Sequence, residues 1–289
     1  MTNEPDNLIA QFEADASLFE PDRLPRRMEV LEQLDAWFGD ADVQPSAEPN
    51  HARIVGRAKA LRGELESANA AIYHSIRDQI QQGLPPSELL RWIQLCRDER
   101  EAPAPGLGYD HLDELISGVL QLREPTDVHQ PEPEMVFYQP TPVRHILRMI
   151  QISGLSESDT LIDLGSGLGH VPILAAILTG ARSIGIEVDS AYVASAGDCA
   201  RNLGLDRVTF IPQNAGDADL STGTIFYLYT PFTGETLRTA LRKLQRESAH
   251  RAITVCTLGP CTHAVAKERW LSANAMPDPD RIITFRSRA

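Results

Sequence analysis

A chain of 289 residues, 42% hydrophobic and 23% charged, has material for one large globular domain or two smaller ones. Its net charge of −13 lies almost wholly upstream: residues 1–130 hold 24 of the 40 acidic side chains and only 12 of the 27 basic ones. An acidic half with no Lys/Arg stripe repels phosphate backbones and disfavours nucleic acid as a partner, and no apolar run reaches the roughly eighteen residues that span a membrane.

In chain order, Met1–Glu20 is polar and acidic, unlike a signal or transit peptide. Four scattered cysteines (Cys96, Cys199, Cys256, Cys261) suit a reducing cytoplasm. Arg27 to Phe38 predicts a short amphipathic helix with Met28, Leu31, Leu34 and Trp37 on one side. Residues 51–82 predict a longer one, because Ile54, Ala58, Leu61, Leu65, Ala68, Ile72, Ile76 and Ile80 recur every three or four positions. Gly83 and Pro85-Pro86 stop it, Ser87 caps a third helix to about Glu99, and Tyr109 to Leu122 gives a fourth. Together they predict an all-helical domain over residues 1–130, a cap, a substrate element or a homo-oligomer contact. The proline-rich, charged stretch 123–134 marks its end.

Over residues 131–289 strands and helices alternate. Apolar runs fall at Thr160–Leu164, Ser183–Val188, Val208–Ile211, Ile225–Tyr229, Ala252–Cys256 and Ile282–Phe285. Helical stretches such as Val143–Ile152, Pro172–Leu178, Ser190–Leu203 and Glu235–Arg246 lie before or between them. The order predicts an α/β fold, an open and mostly parallel sheet with helices on both faces. Ligands of such sheets bind beyond the carboxyl ends of the strands, so the functional residues belong in the loops there.

One loop carries the strongest pattern. Leu161-Ile162-Asp163-Leu164-Gly165-Ser166-Gly167-Leu168-Gly169-His170-Val171-Pro172 runs from an apolar strand through an acid and three alternate glycines into a helix. The next strand ends at Glu187, 22 residues beyond Gly165, where a carboxylate can accept both hydrogen bonds of a ribose diol. A dinucleotide site would require G-x-G-x-x-G, and its third glycine position holds His170. The stretch instead resembles the first motif of the class I S-adenosylmethionine-dependent methyltransferases, an acid followed by x-G-x-G-x-G, and implies a Rossmann-like sheet. That resemblance implies S-adenosylmethionine as cofactor, with Asp163 near the methionine ammonium and Gly165, Ser166, Gly167 and Gly169 along its backbone path. Glu187 would hold the ribose, Val188 would touch the adenine, and Asn214, with Asp217 as competitor, would accept from the adenine amino group. Phe137-Tyr138-Gln139-Pro140-Thr141-Pro142 resembles the segment that closes over the cofactor carboxylate, and Thr141 also suits a helix cap before Pro142.

Within the superfamily, Asp163–His170 and the pair Tyr138-x-x-Thr141 are similar to motifs of the DOT1-like protein lysine methyltransferases. This likeness covers roughly residues 136–245. Where that family carries paired asparagines before the aromatic of the fourth-strand region, this chain has Leu228 and Tyr229, followed by Thr230-Pro231-Phe232. Candidate acceptor-site groups are Tyr138 and Tyr229 as catalytic residues, with Phe232 as a wall and His170 as a base near neutral pH. Cys256, Cys261 and His263 lack a fourth ligand, so no metal is expected. The expected activity is methyl transfer to a protein side chain or a small molecule. The alternatives are a catalytically degenerate cofactor-binding module and a dinucleotide-dependent oxidoreductase.

Overall fold

The computed structural model describes residues 4–38, 49–97, 108–126, 138–230 and 232–288. They form two compact units, residues 1–78 with 87–100, and residues 79–86 with 101–289. Part of the 123–134 stretch, along with Phe137 and Pro231, lies outside the described residues.

The first unit is helical: α1 (Glu4–Ala14), a 3-10 turn (Ala16–Phe19), α2 (Leu24–Phe38), most of α3 (Pro49–Gln81) and α4 (Ser87–Cys96). Its centre joins Ile9, Phe12 and Leu18 to Val30 and Leu34 of α2 and to Ile54, Leu61 and Leu65 of α3. Along the stripe predicted on α3, Ile76 and Ile80 are buried, as are Ile54, Ala58, Leu61 and Leu65. One turn on, Ala68 is only half-buried and Asn69 turns inward, because its Oδ1 accepts from the Nε of buried Arg27 at 2.6 Å. Arg27 also donates to the Leu18 and Glu20 carbonyls, so a cation with no carboxylate among these partners is satisfied by neutral acceptors. Trp37, predicted on the buried side of α2, is half-exposed. Helix α1 was not foreseen, since Ile9 and Phe12 are its only fully buried positions.

The second unit carries the sheet. After α5 (His111–Leu120) and α6 (Val143–Ser153) come β1 (Thr160–Leu164), α7 (His170–Thr179), β2 (Arg182–Glu187), α8 (Ser190–Asn202) and β3 (Val208–Pro212). Then follow β4 (Ile225–Tyr229), α9 (Gly234–Ser248), β5 (Thr254–Leu258), α10 (Cys261–Val265), β6 (Leu271–Ala273) and β7 (Ile283–Ser287). Helix α5 falls in the same compact unit as the sheet. A side chain explains the attachment: Asp113 of α5 accepts from the backbone N–H of Val143, the first residue of α6, at 2.8 Å.

Strand order is β3-β2-β1-β4-β5-β7-β6, parallel throughout except that β7 runs antiparallel between β5 and β6. Dinucleotide-binding sheets follow 3-2-1-4-5-6, so the inserted β7 departs from them. The predicted α/β class is confirmed, and the order reverses between β1 and β4. One face, with Ile162, Leu164, Phe226, Leu228 and Val255, packs on Leu237, Leu241 and Leu244 of α9. Register sets the other face. Asp163 pairs with Gly185 on one side and Tyr227 on the other, and Tyr227 pairs with Cys256, so these four point the same way.

Candidate active site

At the reversal, β1 ends in Asp163-Leu164 and the chain turns through Gly165, Gly167 and Gly169 at φ of +90°, +49° and +83°. Left-handed backbone of this kind costs an L side chain about 1–2 kcal/mol per residue, which is why glycine stands at each position. The turn is stitched to β2. Gly165 and Ser166 N–H both donate to the Ile186 carbonyl, at 2.8 and 3.0 Å, and Gly167 N–H donates to Glu187 Oε2 at 2.9 Å. Glu187 Oε1 accepts from Asp189 N–H at 3.0 Å, and Asp189 in turn caps α8 through Ala191 N–H. The loop and the tip of β2 are therefore one hydrogen-bonded body, with carboxylate lone pairs of Glu187 still available to a diol.

The three glycines have different reasons. A Cβ on Gly169 would lie 2.4 Å from Phe210 Cζ of β3 and 3.1 Å from Ala196 Cβ of α8, so Gly169 lets α7 close onto the sheet. Gly185 makes room for the same Phe210 ring and for Ser166 Oγ. A Cβ on Gly167 would meet Tyr138 Cε2 at 2.0 Å, so the Tyr138 ring lies directly on the glycine loop. That ring also packs against Tyr192 at 4.9 Å between centroids, and its hydroxyl is 3.1 Å from His170 Nδ1.

Asp163 is buried beneath this cover, and its Oδ1 has no hydrogen-bond partner among the described residues; Ser166 Oγ shares that state. Burial first, and then the nearby Glu187 charge, push the Asp163 carboxyl well above its ordinary range. A carboxyl so placed ionises when a cation reaches it. An ammonium meets that requirement, so this buried, unpartnered carboxyl fits a methionine-bearing cofactor. Val188 is half-exposed beside the tip of β2. Asn214 instead uses its Oδ1 to accept from Gly216 N–H at 2.8 Å, closing an Asx turn, and Asp217 is exposed.

Thr141 is not the helix cap it resembles. Pro142 occupies the N-cap of α6 with no side-chain hydrogen bond, and Asp113 supplies the acceptor from α5. Released from capping, the Thr141 hydroxyl bonds Tyr227 Oη at 3.0 Å, in the core. Tyr227 escaped the sequence reading although the strand pattern holds the signal: positions 225, 227 and 229 of β4 share a face, the face of Asp163. Tyr109, just ahead of α5, and Asp113 within it were missed too. Tyr109 Oη donates to the Pro140 carbonyl at 3.0 Å.

On the acceptor side, Tyr229 ends β4 with its hydroxyl buried and without a partner among the described residues, and burial pushes the phenol up to about 12. Thr230 follows at φ +37°, an outlier for a β-branched residue. Its Oγ1 donates to the Leu258 carbonyl at 3.2 Å and accepts from Cys261 N–H at 3.1 Å, which holds the loops after β4 and β5 together. Phe232, expected as a cleft wall, is buried in the core on the α9 face of the sheet, because the chain must turn under the sheet to start α9. His170, expected as a base near neutral pH, is lowered by burial to about 4 and is neutral at pH 7. Among the described residues no group of His, Cys, Asp or Glu could hold a metal ion, and all four cysteines are reduced and buried. No helix among them is long and apolar enough to cross a membrane.

Residues 135–207 match the family described as Histone methylation protein DOT1. A protein-lysine N-methyltransferase of Saccharolobus islandicus (strain REY15A) is 28% identical over 94 residues, 32% of this chain and 58% of that protein. Among solved structures, an RNA methyltransferase from Salinibacter ruber in complex with S-adenosyl-L-homocysteine is 28% identical, over 52% of this chain and 92% of its own, with a TM-score of 0.41. The human methyltransferase 10 domain containing protein is 16% identical, over 61% of this chain and 93% of its own, also at 0.41. These matches support a likeness to the class I methyltransferase superfamily, the family match falling at residues 135–207.

Proposed function

We propose that this chain is a cytoplasmic methyltransferase that binds S-adenosylmethionine at the carboxyl ends of β1 and β2. The acceptor, a protein side chain or a small molecule, meets it beyond β4. The observation that carries the reading is the buried, unpartnered Asp163 oxygen at the strand-order reversal, next to a glycine loop clasped by Glu187.

In this reading Asp163 holds the methionine ammonium, and the backbone of Gly165, Ser166, Gly167 and Gly169 shapes the path beside it. Glu187 accepts from the ribose hydroxyls, and Val188 covers the adenine with Asn214 at its edge. Tyr138 and Thr141 close the segment 138–143 over the loop and exclude water. When bound, the cofactor supplies an electrophilic methyl on a sulfonium. The protein's task is then alignment of the acceptor, which falls to the Tyr138 and Tyr229 hydroxyls. His170, neutral at pH 7, shares a hydrogen bond with the Tyr138 hydroxyl rather than driving deprotonation. The name of the Saccharolobus islandicus relative favours a protein side chain as acceptor.

Calorimetry with S-adenosylhomocysteine and with NAD tests the donor half: micromolar binding of the first alone is expected, and binding of NAD alone overturns the reading. Incubation with labelled S-adenosylmethionine and cell extract tests transfer, with label expected in protein from the wild type and lost in Gly167→Arg. Tight binding without transfer to any fraction would leave a cofactor-binding module that has lost catalysis.

A further inference from the structure

Several ties hold the segment 138–143 in place, four of them through side-chain hydrogen bonds to residues far along the chain. Tyr109 Oη reaches the Pro140 carbonyl, Asp113 takes Val143 N–H, Tyr138 Oη meets His170 Nδ1, and Thr141 Oγ1 meets Tyr227 Oη. The first three involve Tyr109 just ahead of α5, Asp113 within it and His170 at the start of α7. The last rises from the middle of the sheet, is buried at both ends, and stands on the strand position paired with Asp163. Neither the glycine motif nor the family resemblance gives position 227 a task.

The chemistry at this position is specific. Tyr227 is almost wholly inaccessible, and a buried phenol without a partner is costly. Its partner, Thr141, stands three residues along the chain from Tyr138 and is itself buried, a low-dielectric setting where a hydrogen bond is strong and directional. Phenylalanine would fill the same volume with the same ring. The hydroxyl therefore adds position, not packing.

We propose that Tyr227 is a positioning residue of the donor site, fastening Thr141 to β4 and so setting the 138–143 segment over Gly167 and Asp163. The proposal rests on the methyl-donor reading. Tyr227→Phe and Thr141→Val remove opposite ends of one bond. Each is expected to weaken S-adenosylhomocysteine binding by about 3- to 10-fold in calorimetry. The double variant should be no weaker than either single one, because the interaction is already gone. Thr141→Ser, which keeps the hydroxyl, should bind within about two-fold of wild type, a recovery that a role in packing alone would not give. Additive losses, or unchanged affinity in Tyr227→Phe, overturn the assignment while wild-type binding leaves the donor reading intact. Absence of wild-type binding overturns both. Should Tyr227→Phe melt below the working temperature, the contrast between valine and serine at position 141 decides alone: no contrast refutes the proposal.

Discussion

The loops after β1 and β4 face each other across the strand-order reversal, and they are built on opposite principles. The first reaches left-handed backbone with three glycines and fixes itself with its own N–H groups on Ile186 and Glu187. The second reaches it with Thr230, a residue that resists it, and holds it there with hydroxyl bonds to Leu258 and Cys261. Backbone-built loops accept any ligand that suits the backbone, so one motif serves many proteins. A side-chain-built loop is private to its own fold, which is where specificity for an acceptor belongs.

The largest expected effects break the first loop. Gly169→Ala places a Cβ 2.4 Å from Phe210 at φ +83°, combining backbone strain with overpacking. A loss of about 2–5 kcal/mol in denaturant unfolding is expected. Gly154→Ala, at φ +72° with nothing within 4 Å, isolates the strain and should lose only about 1–2 kcal/mol. Equal losses would show that Gly169 is needed for its conformation and not for the close approach of α7 to the sheet.

Next comes the clasp. Glu187→Ala frees the N–H groups of Gly167 and Asp189 and removes the ribose acceptor. S-adenosylhomocysteine binding should fall by about 10- to 100-fold, as for hydrogen bonds to a charged group, with a smaller change in melting temperature. Thr230→Val should do the reverse. It strands Leu258 and Cys261 while keeping the strain, costing about 1–3 kcal/mol of stability, and leaves S-adenosylhomocysteine affinity near wild type. Thr230→Gly, which loses the same bonds but carries no φ penalty, should be the more stable of the two. Affinity changes of equal size at 187 and 230 would collapse the division between donor and acceptor loops.

That division also explains what could be read from the sequence. Asp163, Gly165, Gly167 and Glu187 announce themselves because backbone geometry demands those residue types at those spacings, and the strands around them are continuous apolar runs. Thr141 shows the limit. Its sequence neighbours are those of a helix cap, yet the cap is Asp113, some thirty residues upstream, and the hydroxyl serves Tyr227 instead. Phe232 shows it again: an aromatic after β4 looks like a cleft wall until the direction of the turn into α9 is known. Helix α5 was legible as a helix, but its membership in the sheet unit rests on contacts no local pattern encodes.

The smallest expected effect tests how the cover over the donor loop is charged. Asp113 accepts from Val143 and Asp110 N–H, yet burial outweighs these bonds and raises its carboxyl to about 6, with Asp110 adding repulsion and Arg144 opposing it. Its folded pKa exceeds the unfolded one, so its contribution to stability is full below about pH 4 and is lost as pH rises through 6. His170 does the opposite. Lowered from 6.5 to about 4, it favours the fold above 6.5 and withdraws that support as pH falls toward 4. The two slopes oppose each other between pH 4 and 6, so each masks the other in the wild type. Melting curves across that window should show Asp113→Asn gaining acid sensitivity and His170→Gln losing it. Each change should be on the order of 1 kcal/mol after solvent screening. Parallel slopes in both variants would mean that the segment over Gly167 is held by its neutral bonds alone, and that its closure does not answer to pH.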